Sequence, residues 1–262
     1  SPDERLLAAQ VAGDLWVTDL DRGVPTRVTS LPGTEFEPIW SPDGQRLLFA
    51  AVRGGDADLY TQELTAAAAA VPLRKGPGNE YPEDWSPDGD TVLYSSGSAL
   101  WALPLDGGEP ELVRESKTGR APEEAAVSPD GRWLAYMSDE SGRWEVFVEP
   151  FRRSGARVQV SVRGGRQPEW RGDGRELFYT EPQPRARAAL MAAPVLDGGN
   201  RLEVGLPKAL LEFDLVFAGP LGDHFAVTAD GQRFLVTTRS AEGANPPIHV
   251  LLDWPAMLER FP

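Results

Sequence analysis

The chain has 262 residues, 41% of them hydrophobic, which is enough for one large domain or two small ones. Its 27 glycines and 24 prolines are too many for a mainly helical protein and favour a turn-rich β fold. Acidic residues number 40 against 26 basic ones, and the resulting net charge of −14 disfavours binding to nucleic-acid phosphates.

The absence of cysteine excludes disulfides, thiolate metal sites and a cysteine nucleophile. No run of about 18 apolar residues occurs, and the N-terminus lacks the basic-then-apolar pattern of a signal peptide. The sequence therefore predicts no membrane insertion within this chain, and any anchor is expected outside it.

A tetrapeptide repeat dominates the sequence. The strings SPDE or SPDG and the degenerate copies RGDG and TADG begin at Ser1, Ser41, Ser86, Ser128, Arg171 and Thr228. Successive copies begin 40, 45, 42, 43 and 57 residues apart. The first four intervals are typical of four-stranded propeller blades, and the fifth indicates a blade with an insertion of about a dozen residues.

Each repeat contains the same elements in the same order. The SPDG turn favours a hairpin, because Pro sets φ, Asp bonds to nearby amides and Gly accepts a positive φ. Apolar segments such as RLLFAA, then DLYTQEL and a weaker PTRVTSL, predict three strands. A fourth segment such as YPEDW precedes the next turn. Its proline requires an unpaired strand edge, which places this segment innermost, along the central channel.

Six repeats predict an all-β fold, a six-bladed β-propeller of four-stranded antiparallel blades. It would form a single domain over 1–262, with repeats at about 1–40, 41–85, 86–127, 128–170, 171–227 and 228–262. Both end blades are incomplete by this count, so upstream residues are expected to supply the missing strands. A short C-terminal helix is predicted from Asp253, a suitable N-cap, with Pro255 in its first turn.

The order of these motifs resembles that of TolB-like (WD40-like) β-propellers over essentially the whole chain. The segments that carry the resemblance are SPDGQRLLFAA, YPEDWSPDG, SPDGRWLAYMSDESGRWEVFVEPF, QPEWRGDGRELFY, TADGQRFLV and PIHVLLDW. They are most similar to the C-terminal propeller of bacterial membrane-bound serine/threonine protein kinases. The resemblance implies an extracytoplasmic sensing or interaction domain, preceded in the parent protein by a kinase domain and a membrane helix.

No catalytic residue is predicted. The chain lacks the glycine-rich loop, HRD and DFG motifs of a kinase and the GxSxG motif of a serine hydrolase. Its two histidines are His224, just before an inner strand, and His249, in an apolar run typical of a structural histidine. Turn formation or solvation explains the acidic pairs and the SPDG aspartates better than metal binding does. We therefore expect no enzymatic activity, no metal and no cofactor.

Binding is expected where each inner strand begins, because loops there can vary without disturbing blade packing. The predicted channel-mouth residues are Glu35, Phe36, Glu37, Asn79, Glu80, Tyr81, Arg120, Arg166, Gln167 and His224. This mixture of aromatics, acids and arginines suits a peptide or a basic protein segment. A solvated rim that binds nothing explains the same residues equally well.

The predicted function is that of a non-catalytic propeller that binds a peptide, a protein or a small ligand, and not nucleic acid. The expected location is extracytoplasmic or periplasmic, as the sensor or interaction domain of a serine/threonine kinase-type receptor. Two alternatives remain open. One is a stand-alone TolB-like periplasmic scaffold, and the other is the propeller subdomain of a prolyl-oligopeptidase-like hydrolase whose catalytic domain lies elsewhere.

Overall fold

A computed structural model describes residues 1–29, 33–65, 69–198, 201–214, 225–237 and 248–251. The chain divides into two compact units, Ser1–Glu123 and Glu124–Pro262, which we call the first and the second unit. Every regular element in the described part of both units is a β-strand.

The described residues of the first unit form three antiparallel sheets. The strands of the first sheet are β1 (Leu6–Val11), β2 (Asp14–Asp19) and β3 (Val24–Arg27). Those of the second are β4 (Thr34–Trp40), β5 (Arg46–Val52), β6 (Ala57–Glu63) and β7 (Val71–Arg74). Those of the third are β8 (Glu80–Trp85), β9 (Thr91–Ser96), β10 (Ala99–Pro104) and β11 (Glu111–Glu115). In each sheet the spatial order of the strands follows the chain.

The second unit also contains three antiparallel sheets in its described residues. The first consists of β12 (Glu123–Val127), β13 (Trp133–Ser138), β14 (Glu145–Pro150) and β15 (Val158–Gln159). The second consists of β16 (Arg166–Trp170), β17 (Glu176–Gln183), β18 (Arg187–Asp197), β19 (Leu202–Val204) and β20 (Lys208–Asp214). The third consists of β21 (Phe225–Val227), β22 (Phe234–Thr237) and β23 (Ile248–Leu251).

The prediction of six four-stranded blades followed by a short helix is wrong. The described chain has five blades and no helix. The blades are the sheets β1–β3, β4–β7, β8–β11, β12–β15 and β16–β20, with three, four, four, four and five strands. The sixth repeat forms only a small sheet, β21–β23, whose strands have three or four residues. The segment from Asp253 lies outside the described residues. The count failed because an SPDG-type turn requires only a hairpin, and a hairpin does not ensure a whole blade.

The repeated turn works as the sequence predicts. The Ser41 hydroxyl donates to the Asp43 carboxylate at 2.5 Å and accepts from the Arg46 amide at 2.9 Å. The Gln45 amide also donates to Asp43, at 3.0 Å. These two hydrogen bonds, with the hydroxyl contributing most, lower the pKa of Asp43. Equivalent hydroxyl–carboxylate bonds occur in four other copies, at Ser1, Ser86, Ser128 and Thr228.

Large apolar side chains of the central strands form the core of each unit. In the first unit Leu47 and Phe49 are fully buried with Leu15, and in the second Leu177 and Tyr179 pack with Met191. Each such side chain contributes about 1.5–3 kcal/mol by leaving water. Strand β1 differs from its counterparts β5, β9 and β13, because its residues are half-buried or exposed while theirs are mostly buried. That upstream residues complete the first sheet stays a prediction.

The first copy of the turn departs from the others at one residue, Glu4, which has a φ of 59° where the other copies have glycine at 68° to 81°. An L residue in this left-handed conformation costs about 1–2 kcal/mol of stability. Glycine avoids that cost but loses more conformational entropy on folding, which offsets part of the gain. We therefore expect Glu4→Gly to raise the free energy of unfolding by up to about 1 kcal/mol, measured by chemical denaturation. Gly44→Ala is the matched control and should lower it, and equal stability of Glu4→Gly and the parent would contradict the assignment of strain.

Candidate functional site

Most of the residues predicted to bind a ligand lie on or directly before three strands, β4, β8 and β16, each of which is the first strand of its sheet. We call β4, β8, β12 and β16 the leading strands. Each of them ends directly before an SPDG-type turn, at Trp40, Trp85, Val127 and Trp170. When the strands are aligned on these last residues, Phe36 of β4 corresponds to Tyr81 of β8, and Glu35 corresponds to Glu80.

The two predicted aromatics of the first unit come together. The ring centroids of Phe36 and Tyr81 are 6.1 Å apart, and the rings are inclined by 48°. Both side chains are only half-buried. Aromatic pairs at this distance attract each other, and half-buried aromatic faces are favoured anchors for a partner.

Glu35 does not offer its carboxylate to a ligand. It is completely buried, and it accepts hydrogen bonds from the Arg53 guanidinium at 3.4 Å and the Thr29 hydroxyl at 3.1 Å. Arg53 in turn lies 4.1 Å from the centre of the Tyr60 ring. This residue therefore stabilises the start of β4, since a buried charge needs such partners.

Glu80 occupies the same position on β8 with fewer partners. Arg74 Nε donates to Glu80 Oε1 at 2.6 Å, and Oε2 is buried without a hydrogen bond. Gly76 lies so close that a Cβ atom there would be 2.5 Å from Oε1, which leaves no space for a side-chain hydroxyl. Burial raises the pKa of Glu80, and the Arg74 charge opposes that effect only in part.

The remaining predicted residues of the first unit differ in accessibility. Asn79 is exposed, and its Oδ1 accepts from the Ala57 amide at 2.9 Å, so its side chain fixes the loop before β8. Glu37 is half-buried, with a φ of 54°, at the irregularity in the pairing of β4 with β5. Arg120 is exposed in the connection after β11.

In the second unit Gln167 is a structural residue. It is buried, its Nε2 donates to the carbonyl of Phe225 at 2.6 Å, and its amide donates to Glu124 Oε2 at 2.6 Å. Gln167, on β16, is therefore hydrogen-bonded to β12 and to β21, the first strands of the other two sheets of this unit. Arg166, one residue earlier, is half-buried. His224 and the side chain of His249 lie outside the described residues.

Sequence reasoning missed a left-handed residue that recurs in three of the leading strands, β4, β12 and β16. Glu37, Glu124 and Gln167 each stand three residues before the last residue of their strand, and their φ values are 54°, 51° and 51°. A left-handed residue of this kind costs about 1–3 kcal/mol and persists only where its surroundings determine it. Pro82 holds the same position in β8 and cannot adopt a positive φ. The sequence of these segments did not predict the left-handed residue, because neither Glu nor Gln is a residue type that favours a positive φ.

The described residues bear on metal binding and on membrane insertion. They contain no group of three or more His, Asp or Glu side chains placed to hold a metal ion. In the same part of the chain no helix is long and apolar enough to cross a membrane.

Comparison with protein families gives one match, in which the family described as the TolB beta propeller domain covers residues 8–204. A search of the curated proteins found no significant match.

Solved structures with the same fold include TolB from Acinetobacter baumannii and a candidate TolB from Agrobacterium tumefaciens. The first has a TM-score of 0.71 at 16% identity, over 94% of this chain and 60% of its own. The second has a TM-score of 0.68 at 19% identity, over 82% of this chain and 79% of its own. A puromycin-hydrolysing peptidase of Mycobacterium tuberculosis reaches a TM-score of 0.59 at 17% identity, over 94% of this chain and 43% of its own. These likenesses concern the fold, and enzymes are among the proteins that share it.

The raised pKa of Glu80 predicts a pH dependence of stability. The folded state binds the Glu80 proton more tightly than the unfolded state, whose pKa is near 4.5. The contribution of Glu80 is therefore fully present below about pH 4.5 and is lost as the pH rises through the folded-state value. The free energy of unfolding of Glu80→Gln, relative to that of the parent, should therefore increase from pH 4 to pH 7, as measured by urea denaturation at each pH. Glu63→Gln, at an exposed position of the same unit, controls for net charge, and an equal gain in both variants would refute the role of burial.

Proposed function

Because the chain belongs to the TolB β-propeller family, we propose that it is a non-catalytic propeller whose first unit binds a partner protein at Phe36 and Tyr81. TolB-like propellers are protein-interaction domains. The observation that carries the proposal is the half-buried aromatic pair, 6.1 Å between ring centres, at the start of β4 and β8.

The surroundings of this pair favour a basic partner segment. Strands β4 and β8 together contain five acidic residues and no basic one: Glu35, Glu37, Glu80, Glu83 and Asp84. Arginines from other strands and loops neutralise Glu35 and Glu80. The net charge of the chain, −14, would steer a cationic segment towards the protein, since charge complementarity mainly affects encounter rate and specificity.

The finer part of the proposal concerns the parent protein. We place the propeller outside the cytoplasm, as the sensor or interaction domain of a receptor of the serine/threonine kinase type. The support is the order of motifs along the sequence and the periplasmic location of TolB homologues. A kinase domain and a membrane helix encoded upstream in the same gene would identify that receptor, and their absence would favour a stand-alone periplasmic scaffold.

One observation favours a second candidate, the propeller subdomain of a hydrolase. The likeness to the puromycin-hydrolysing peptidase extends over 94% of this chain but only 43% of that protein. A propeller of this size would then accompany a catalytic domain. A hydrolase domain in the same gene, together with aminoacyl-amide hydrolysis by the full-length protein, would establish this alternative over the receptor.

The aromatic pair gives a direct test. Peptides are selected by display on the wild-type protein and then measured by calorimetry against the double variant Phe36→Ala/Tyr81→Ala. Loss of two aromatic anchors should weaken binding at least about 30-fold, while Tm changes by only a few degrees because both rings are half-buried. Leu112→Ala, which shortens a side chain 52% exposed on β11, should leave affinity unchanged. Peptides that bind the double variant as tightly as the parent would rule out this surface.

The charge of the partner gives a separate prediction. The selected peptides should be rich in Lys and Arg, and their affinity should fall as salt is raised from 50 to 500 mM, since salt screens exposed charges over a Debye length of about 10 Å at 0.1 M. Replacing their basic residues with Glu should abolish binding. Selection of acidic peptides, or a salt-independent affinity, would contradict the basic partner while leaving the aromatic anchor testable by the double variant.

A further inference from the structure

The fifth blade contains a feature unrelated to the aromatic pair. Its repeat is 57 residues long instead of 40 to 45, and strand β18 has 11 residues where β6, β10 and β14 have 6 or 7. The first part of β18 pairs with β20 and its last part with β19. The insertion therefore widens the sheet beside β18 with two different strands.

A depression lies on one face of this widened sheet. The pairing of β17, β18 and β20 places Ala189 between Glu181 and Glu212, and Met191 between Tyr179 and Ala209. The small side chains of Ala189 and Ala209 leave a cavity of about 330 Å³. Its lining includes Arg163, Glu181, Gln183, Ala189, Met191 and Glu212. This volume lies at the lower end of the range for small-ligand sites.

The cavity has an apolar floor and an acidic wall. Ala189 and Met191 on the floor are almost completely buried. The side chain of Glu181 is only 5% exposed. Its carboxylate accepts from Arg163 Nη2 at 2.9 Å, from Arg163 Nε at 3.2 Å and from Gln183 Nε2 at 3.0 Å. Glu212, across the cavity, is half exposed and pairs with Arg187 at 2.9 Å.

Arg163 is the residue that an incoming group would replace. Its side chain is 72% exposed, so most of it lies in solvent and only its guanidinium edge contacts Glu181. Because Glu181 itself is buried, its charge needs a cationic partner, and an incoming cation would have to take over the two contacts that Arg163 makes. Glu181 and Glu212 are the two carboxylates of the lining, and each is paired with an arginine, Arg163 or Arg187. These arginine side chains are 72% and 42% exposed, so a cation that enters the cavity competes with partners that lie largely in solvent. The pKa of Tyr179, which pairs with Met191, is raised first by burial and then by the charges of Glu181 and Glu145, while Arg163 lowers it.

We propose that this cavity of the fifth blade binds an ammonium or guanidinium group on an unbranched aliphatic stem. The stem lies on Ala189 and Met191, and the cation lies between Glu181 and Glu212 after Arg163 has moved into solvent. A free linear polyamine and the lysine side chain of a protein both present this chemistry. The site is independent of the aromatic pair of the first unit.

Methionine makes the proposal measurable, because the chain has only three methionines. Met191 lies on the cavity floor, whereas Met137 is completely buried in the preceding blade. In protein with methyl-labelled methionine, titration with cadaverine and with amide-blocked acetyl-lysine should shift the Met191 signal saturably and leave Met137 unchanged. Blocked acetyl-norleucine, which lacks the charge, should not. Binding of cadaverine alone would identify a free polyamine as the ligand, and binding of both probes a protein side chain.

Three variants test the site. Ala209→Leu fills the cavity from an exposed position and should abolish the saturable shift. Glu212→Gln should weaken amine binding about threefold, the effect of one half-exposed charge. Glu203→Gln removes the same charge from an exposed position on β19 outside the cavity lining and should bind as the parent does. The proposal is overturned if the amines cause no saturable Met191 shift, if Ala209→Leu still binds them, or if blocked norleucine binds equally well.

Discussion

The rest of the structure depends on one hydrogen-bonded turn, in which a side-chain hydroxyl joins an aspartate to the start of the next strand. In the second repeat Ser41 bonds to both Asp43 and the Arg46 amide, which fixes the pairing of β4 with β5 from the first residue. Four other repeats use the same contacts. Because a shift of one residue would turn every core side chain outward, this turn also decides which residues reach the start of each leading strand.

On the leading strands β4 and β8, a buried structural residue is followed directly by an accessible one. Glu35 and Glu80 are buried beside arginines, and the next residues, Phe36 and Tyr81, remain half exposed and touch each other. Buried carboxylates paired with arginine recur in the second unit at Glu145 and Glu181. Removing one partner of such a pair leaves an uncompensated buried charge. Each of these acids therefore depends on a cationic partner, and Phe36 and Tyr81 are the residues that stay accessible near the starts of β4 and β8.

Much of the fold was predictable, because its turns are local. The SPDG spacing predicted the hairpins and the strands that flank them. The number of blades was not predictable in this way. The sixth turn at Thr228 forms as well as the others, yet the described residues after it give only short strands. The insertion in the fifth repeat was expected, but its division between β19 and β20 depends on pairing with distant residues of β18.

For the candidate site, the repeat pattern predicted which residues lie near the starts of the leading strands, and the tertiary structure determined which of these residues are accessible. Glu35 and Glu37 are the same residue type two positions apart, but Glu35 is completely buried and accepts a hydrogen bond from Arg53, whereas Glu37 is half-buried. The sequence by itself fixed the turns and the all-β repeat, since these depend on φ preferences and hydrogen bonds within a few residues. Burial, ion pairing and the shape of the cavity in the fifth blade depend on residues far apart in the chain, and only folding brings those together.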